Sequence, residues 1–430
     1  MGKYIVHAVA VSFMCFVAAC FVPDMSAKSR KSSGPVVRPG IEVLELTGFD
    51  CLKGKRVGLV TNPSGVDRSM RSTVDILFRA PEVKLVALYG PEHGVRGNVY
   101  AGGKVTDTVD EATGLPVFSL YGATRKPTPE MLDGIDVMVY DIQDVGVRSY
   151  TFISTLGLVM EACAEEGIDV VVLDRPNPLG GNKIEGPYVE PGFFSFVSQY
   201  RIPYIYGLTV GELALLINGC GLNCGQLGDR KPSRCNLTVI PMSGWSRDML
   251  YKDTGLPWVL PSPNIPSDES ALCYPASGLC GELYGFLNIG VGYTLPFQTF
   301  AAEWIDAESL KEVLDSYHLP GVAFRTIYYT PFAGSSKGNL VQGVQYFFTD
   351  YGAAAVTEVQ FYVMQAIAQL YPDKGAFEVA EGTGLFDKVC GSDYVRETFG
   401  KRYMFSDIED YWRKDVEQFR QMSRKYYLYK

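Results

Sequence analysis

Residues 83–97 read VKLVALYGPEHGVRG, and the interpretation of this stretch decides the fold. It opens as an apolar run suited to a strand buried on both faces (Val83, Leu85, Val86, Ala87, Leu88). It then turns at Gly90-Pro91 and presents Glu92 and His93 ahead of Gly94. Continuous apolar strands belong to parallel sheets covered on both sides. In open sheets of that kind ligands bind beyond the carboxyl ends of the strands, where this turn falls. Glu92 is therefore the first candidate for an active-site group.

Outward from this stretch the same pattern repeats. Strands are expected at 56–61 (RVGLVT), 115–120 (LPVFSL), 137–140 (VMVY) and 169–173 (DVVVL), with helices at 72–79, 128–132 and 155–166. Strand and helix in alternation predict a Rossmann-like, doubly wound α/β sheet. The strand exits carry polar groups: Asn62 after the first, Glu92-His93 after the second, Asp141, Asp144 and Arg148 after the fourth, Asp174, Arg175 and Asn177 after the fifth. Parallel strands bring all of these to one edge. Arg96 follows the central stretch, and Glu185 lies in the loop-rich region after Gly180-Gly181.

Further along, Thr209 with Glu212 three residues on reads as a capping box opening a helix to 218. The Pro-rich run at 257–266, with Asn264, suggests a rigid wall beside the crevice. From about 301 the pattern changes to a smaller α+β domain. It has a helix at 308–317, strands at 322–326 and 342–349, a long apolar helix at 353–370 and a closing amphipathic helix from about 406. The expected organisation is a catalytic domain at 41–300 and an auxiliary domain at 301–430.

The chain has 430 residues, 47% hydrophobic and 20% charged, which describes a globular protein. A net charge of −9 argues against nucleic acid as partner, because that affinity rests on neutralised phosphates. Lys3, the apolar run 5–19 and Cys20 read as an export signal. Cleavage before Cys20 would leave a lipidated cysteine and a membrane anchor. Cleavage after Ala27 would release a protein led by a flexible stretch at 28–40. Either way the expected location is outside the cytoplasm, in the periplasm or cell envelope. Cys220, Cys224 and Cys235 could form a disulfide in that setting. They offer no fourth ligand for zinc, and no cofactor or metal is expected.

No GxGxxG follows the first strand and no GxxxxGK[ST] occurs, which disfavours dinucleotide and P-loop chemistry. The absence of GxSxG disfavours a serine hydrolase elbow. Carboxylate chemistry is left. Glycosidic cleavage needs an acid to protonate the leaving oxygen, and Glu92 in an aromatic-rich crevice fits. Asp141, Asp144, Asp174 and Glu185 are candidate partners. In the plainer reading His93 only orients Glu92, Asp174-Arg175 is a structural ion pair, and Asn62 and Asn177 brace proline turns.

The motifs RVGLVTNPSGVD, LYGPEHGVRG, DIQDVGVRSYTFISTLG, VLDRPNPLGG, EGP and DTGLPWVLPSPNIP together resemble the exo-β-N-acetylmuramidase family of the NamZ type. The likeness continues through GVQYFFTD to FDKVCGSDYVRE and YWRKDVEQFR. The resemblance implies a Rossmann-like domain with a smaller C-terminal domain and an active site between them. It implies removal of N-acetylmuramic acid from non-reducing ends of peptidoglycan fragments, with Glu92 catalytic. By motif position it implies that Asn62, His93, Asp141, Asp144, Arg148, Asp174, Arg175 and Asn177 line the site. The lactyl carboxylate of muramic acid calls for a guanidinium, and Arg96, Arg148 and Arg175 are the candidates. One run departs from the family pattern: 288–297 reads NIGVGYTLPF, where relatives carry an acid and two arginines. That departure and the lipid-anchor motif leave a second reading, a muropeptide-binding envelope lipoprotein without catalysis.

Overall fold

A computed structural model describes residues 37–97, 108–122, 124–222 and 233–430. Seven strands form the large sheet: β1 (Arg56–Thr61), β2 (Lys84–Gly90), β3 (Thr108–Val109), β4 (Pro116–Ser119), β5 (Val137–Asp141), β6 (Asp169–Leu173) and β7 (Leu237–Ile240). Their order is β3-β4-β2-β1-β5-β6-β7, parallel except for the β3–β4 pair. The expected Rossmann-like sheet is present, with its switch point between β1 and β5.

Side chains alternate across the sheet, as the pleat requires. Met138, Tyr140, Val170 and Val172 pack with α4 (Phe152–Glu166) and α5 (Val210–Cys220); α1 (Gly40–Leu46), α2 (Thr73–Arg79) and α3 (Pro129–Leu132) complete the helices of this part. Val137, Val139, Val171 and Leu173 point the other way, onto α1 and α2. Both faces are therefore apolar, which is why these strands read as unbroken hydrophobic runs. Helix α4 begins at Phe152, earlier than position 155, so its N-terminus lies at the strand-exit edge.

A second core gathers around an antiparallel sheet, β8 (Thr299–Ala302), β9 (Val322–Tyr329) and β10 (Val341–Phe348), in the order β8-β10-β9. Helix α6 (Asp268–Gly281) joins this core, with α7 (Ala307–Ser316) and α8 (Val359–Leu370). Helix α6 has no counterpart among the expected elements, and it carries Pro275 in its interior. Gln360 ties down the turn that follows: its amide accepts from Leu279 N (3.0 Å) and donates to Pro275 O (3.0 Å). Helix α8 starts at 359 and not 353, because the Glu185 carboxylate takes the amides of Val356 and Thr357 just before it. The closing amphipathic segment divides into helices at Glu409–Arg413 and Val416–Ser423.

At the switch point the chain closes on itself. Asp141, ending β5, receives Arg175 Nε at 2.5 Å and Nη2 at 2.8 Å, and also the Thr73 hydroxyl. Arg175 therefore pairs across strands with Asp141 and not with its neighbour Asp174. Beside it Asn62 accepts Ser64 N (2.9 Å) and donates to Pro261 O (2.9 Å). Only about 10 Å³ of space is left there. The crevice in which such folds hold dinucleotides is filled with protein, and Asn62, Asp141 and Arg175 are its filling.

A buried charge left without its partner is costly. Arg175→Met, which strands Asp141, is expected to lower unfolding free energy by about 3–5 kcal/mol in urea titrations, with Asp141→Leu in the same chain restoring part of the loss.

Candidate active site

Beyond β2 the chain forms the turn Pro91–Gly94, closed by Gly94 N donating to Pro91 O at 3.0 Å. His93 and Gly94 both take positive φ, 76° and 75°. A buried imidazole in the left-handed region is uncommon, and such backbone strain clusters at functional sites. Gly90 lets the turn pack closely: a Cβ there would crowd Gly94 and Val95 backbone at 3.1 Å. The turn swings Glu92 off the strand edge into a cavity of about 180 Å³.

The cavity is lined by Glu92 and His93, by Ser149–Phe152 at the start of α4, by Ser262, Asn264 and Ile265, and by Tyr274 and Phe297. Tyr121 donates to the Glu92 carboxylate; burial first, and then that charge, push its phenol above its ordinary value. Burial likewise raises Tyr150 and Tyr274, and each also feels both Glu92 and Asp144. The Tyr150 hydroxyl is buried with Ser262 beside it and has no hydrogen bond of good geometry. Tyr274 reaches Ser149 at 3.0 Å. Glu92 is the cavity's single carboxylate among the described residues, in a setting of hydroxyls and rings.

Asp144 lies behind this wall. It accepts from Tyr206 and from Gly146 N (2.8 Å), while its second oxygen is buried without a partner. Burial pushes its pKa up to about 6, against the hydrogen bonds that favour its charged form.

The other expected site residues do structural work. Arg96 forks onto Asp110 (2.8 and 3.0 Å) with Asp75 at 3.7 Å, pinning the segment after the turn. Arg148 is wholly buried and donates to the carbonyls of Pro187, Ile202, Val389 and Cys390 at 2.6–2.8 Å. Burial brings its pKa down to about 10, so it is still charged at neutral pH. Asp174 accepts from Thr209, Gly211 N and Tyr429, and burial raises it to about 6. Asn177 bridges Leu208 O and Leu179 N, and fits only because Gly146 has no Cβ. Glu185, beside its caps on Val356 and Thr357, lines a larger recess of about 790 Å³ that contains neither Glu92 nor His93. The smaller cavity is the one that contains the Glu92-His93 turn, with Glu92 as its one carboxylate among the described residues. None of Arg96, Arg148 and Arg175 lines that cavity, and each is held by protein partners.

The sequence pointed to the 257–266 wall, and Ser262 and Asn264 stand there. It missed Tyr274, because α6 was unread, and Phe297. The divergent run 288–297 packs on Tyr329 through Tyr293 and reaches the cavity only through Phe297, whose φ is 66°. Cys220 and Cys235 are free thiols, so the expected disulfide does not join them; Cys224 lies outside the described residues, as do Cys20 and the export segment.

Glu282, at the C-terminal end of α6, was also unread. Its carboxyl makes no hydrogen bond or ion pair with a described residue, and burial raises it from 4.5 to about 7. A carboxyl with a raised folded pKa stabilises fully below its unfolded pKa, and that contribution is lost as pH climbs through the folded value. Wild-type stability should therefore fall between about pH 4.5 and 7, and Glu282→Gln should flatten that fall, read as urea midpoints at pH 5 and pH 8.

Comparison with known proteins returns one family over nearly the whole described chain. The N-terminal model of exo-beta-N-acetylmuramidase NamZ matches residues 57–269, and its C-terminal model matches 272–429. The peptidoglycan beta-N-acetylmuramidase NamZ of Bacillus subtilis (strain 168) is 44% identical over 417 residues, covering 97% of each chain. Two crystal structures of DUF1343 family proteins from Bacteroides fragilis NCTC 9343 share the fold. One has a TM-score of 0.87 at 55% identity, covering 92% of this chain and 100% of the other. The second has a TM-score of 0.71 at 28% identity, covering 92% and 99%.

Proposed function

The chain belongs to the NamZ family of exo-β-N-acetylmuramidases, and from that premise we propose that it releases N-acetylmuramic acid from non-reducing ends of peptidoglycan fragments, with Glu92 as general acid/base. The observation that carries the role of Glu92 is its position. It is the cavity's single carboxylate among the described residues, held on a strained turn where a glycosidic oxygen can reach it.

Cleavage of a glycosidic bond passes through an oxocarbenium-like state and needs a proton delivered to the leaving oxygen. Glu92 supplies that proton and later recovers one from water. Tyr121 fixes the carboxyl orientation through its hydroxyl, and His93, next along the turn, sets the direction in which Glu92 points. Tyr274 and Phe297 give the apolar faces on which a pyranose ring stacks, and Asn264, Ser149 and Ser262 give hydroxyl-binding groups. The space, about 180 Å³, lies below the roughly 300–1,000 Å³ of drug-sized ligand sites, which suits one terminal sugar and not the middle of a chain.

Glu92→Gln preserves shape and removes the proton. Release of N-acetylmuramic acid from defined peptidoglycan disaccharides should drop about 10²–10⁴-fold in kcat, the span general acid–base catalysis supplies, with the urea midpoint unchanged. Unaltered turnover would remove Glu92 from the role. Wild-type protein that binds the disaccharide in calorimetry and never cleaves it would replace the enzyme with a binding protein.

We further propose that the protein works in the cell envelope, on the strength of Lys3, the apolar run 5–19 and Cys20. Metabolic labelling with a palmitate analogue should mark the wild type and not Cys20→Ala. An unlabelled wild type found as soluble periplasmic protein would instead place cleavage after Ala27.

A further inference from the structure

The muramic acid assignment leaves a requirement unmet. This sugar differs from N-acetylglucosamine by a lactyl ether that ends in a carboxylate, and discriminating for it takes a cation. Arg96 is engaged by Asp110 and Asp75, Arg148 by four carbonyls, and Arg175 by Asp141. Among the described lining residues there is no lysine or arginine.

Arg125 stands close by, on the loop that leads away from Tyr121, the partner of Glu92. Its side chain is exposed, and its positive charge is felt by the Tyr121 phenol. It forms no ion pair and no hydrogen bond with any described residue. The guanidinium is nevertheless not loose: its central carbon lies 4.1 Å over the ring of Phe196. Stacking on an aromatic face holds the planar fork in one orientation while its N–H edges stay available.

Both supports of this arrangement hang on α4. Lys126, the next residue, reaches Glu161 at 3.0 Å and Glu165 at 2.7 Å on that helix. The Phe196 carbonyl accepts from Ser154 Oγ at 2.7 Å. The same helix begins at the cavity, and its first turn has no acidic residue and no side-chain cap. Its positive end therefore adds to the field an anion would meet there.

Resting on the muramidase reading, we propose that Arg125 is the specificity-determining cation of this site, receiving the lactyl carboxylate of the terminal sugar through two parallel N–H···O bonds. The fork is exposed outside the cavity lining and Glu92 lies within it, so in this arrangement the lactyl arm points outward while the glycosidic oxygen faces Glu92. The acidic protein binds an acidic sugar with one local guanidinium, and its overall charge of −9 is no obstacle.

The test uses two chromogenic glycosides, of N-acetylmuramic acid and of N-acetylglucosamine, which differ only in the lactyl ether. A bond to a charged group is worth enough that Arg125→Ala should lower kcat/KM for the muramic glycoside by about 10- to 100-fold, chiefly through KM. Arg125→Lys should recover part of that loss, and the glucosaminide rate should not change in either variant. An Arg125→Ala protein with wild-type KM for the muramic glycoside overturns the proposal. If the wild type turns over neither glycoside, the enzymatic reading fails, and calorimetry with the free sugars then decides this one. Preference for N-acetylmuramic acid that vanishes in Arg125→Ala upholds it, and equal binding by both proteins defeats it.

Discussion

The buried pair of Asp141 and Arg175 is the constraint from which the rest of the molecule follows. Asp141 ends β5 and Arg175 stands two residues beyond β6, and Thr73 at the head of α2 completes the carboxylate's partners. Two charges removed from water need close, saturated geometry, and here each carboxylate oxygen has a donor. The pair locks the exits of the central strands together and occupies the switch point. With that point filled, the cavity that holds Glu92 opens one strand over, beyond β2. The displaced cavity is thus a consequence of how the centre is sealed.

Sealing also sorts the carboxylates. Asp141, Asp174 and Glu185 stand at comparable strand or loop exits, yet each is used by backbone amides, hydroxyls or a guanidinium that the fold brings to it. Asp144 is buried with one oxygen unanswered and a raised pKa, behind the tyrosines of the cavity wall. Glu92 differs in facing the cavity, where the Tyr121 hydroxyl donates to it, because the turn after Gly90 takes left-handed backbone at His93. Position on the chain gave these acids equal standing; local backbone geometry made them different.

The remaining motif residues join the two cores. Arg148, from the loop after β5, holds the carbonyls of Val389 and Cys390, and Glu185 caps the approach to α8. A substitution at Arg148 would strand four carbonyls and let the helical C-terminal part shift, with Tyr274 and Phe297 in the same core. Residues that look like ligands to a substrate in sequence are, in the folded chain, what brings the far wall of the cavity to Glu92.

Sequence by itself determined the sheet, because runs such as VMVY and DVVVL can be satisfied only by burial on both faces, and it determined Glu92-His93, because a turn bracketed by glycines must follow β2. It also marked the 257–266 wall through its prolines. Tertiary structure alone decided which polar residues face solvent space and which face one another, since a hydrogen-bond partner more than a hundred positions away leaves no local signal. It alone decided that α6 is a helix in spite of Pro275, with Gln360 from another helix bonded to Pro275 O and Leu279 N. And it alone separated Arg125, stacked and unpaired, from the three arginines the motifs had favoured: the partners that neutralise a charge are fixed by packing, and packing is not written in the neighbouring residues.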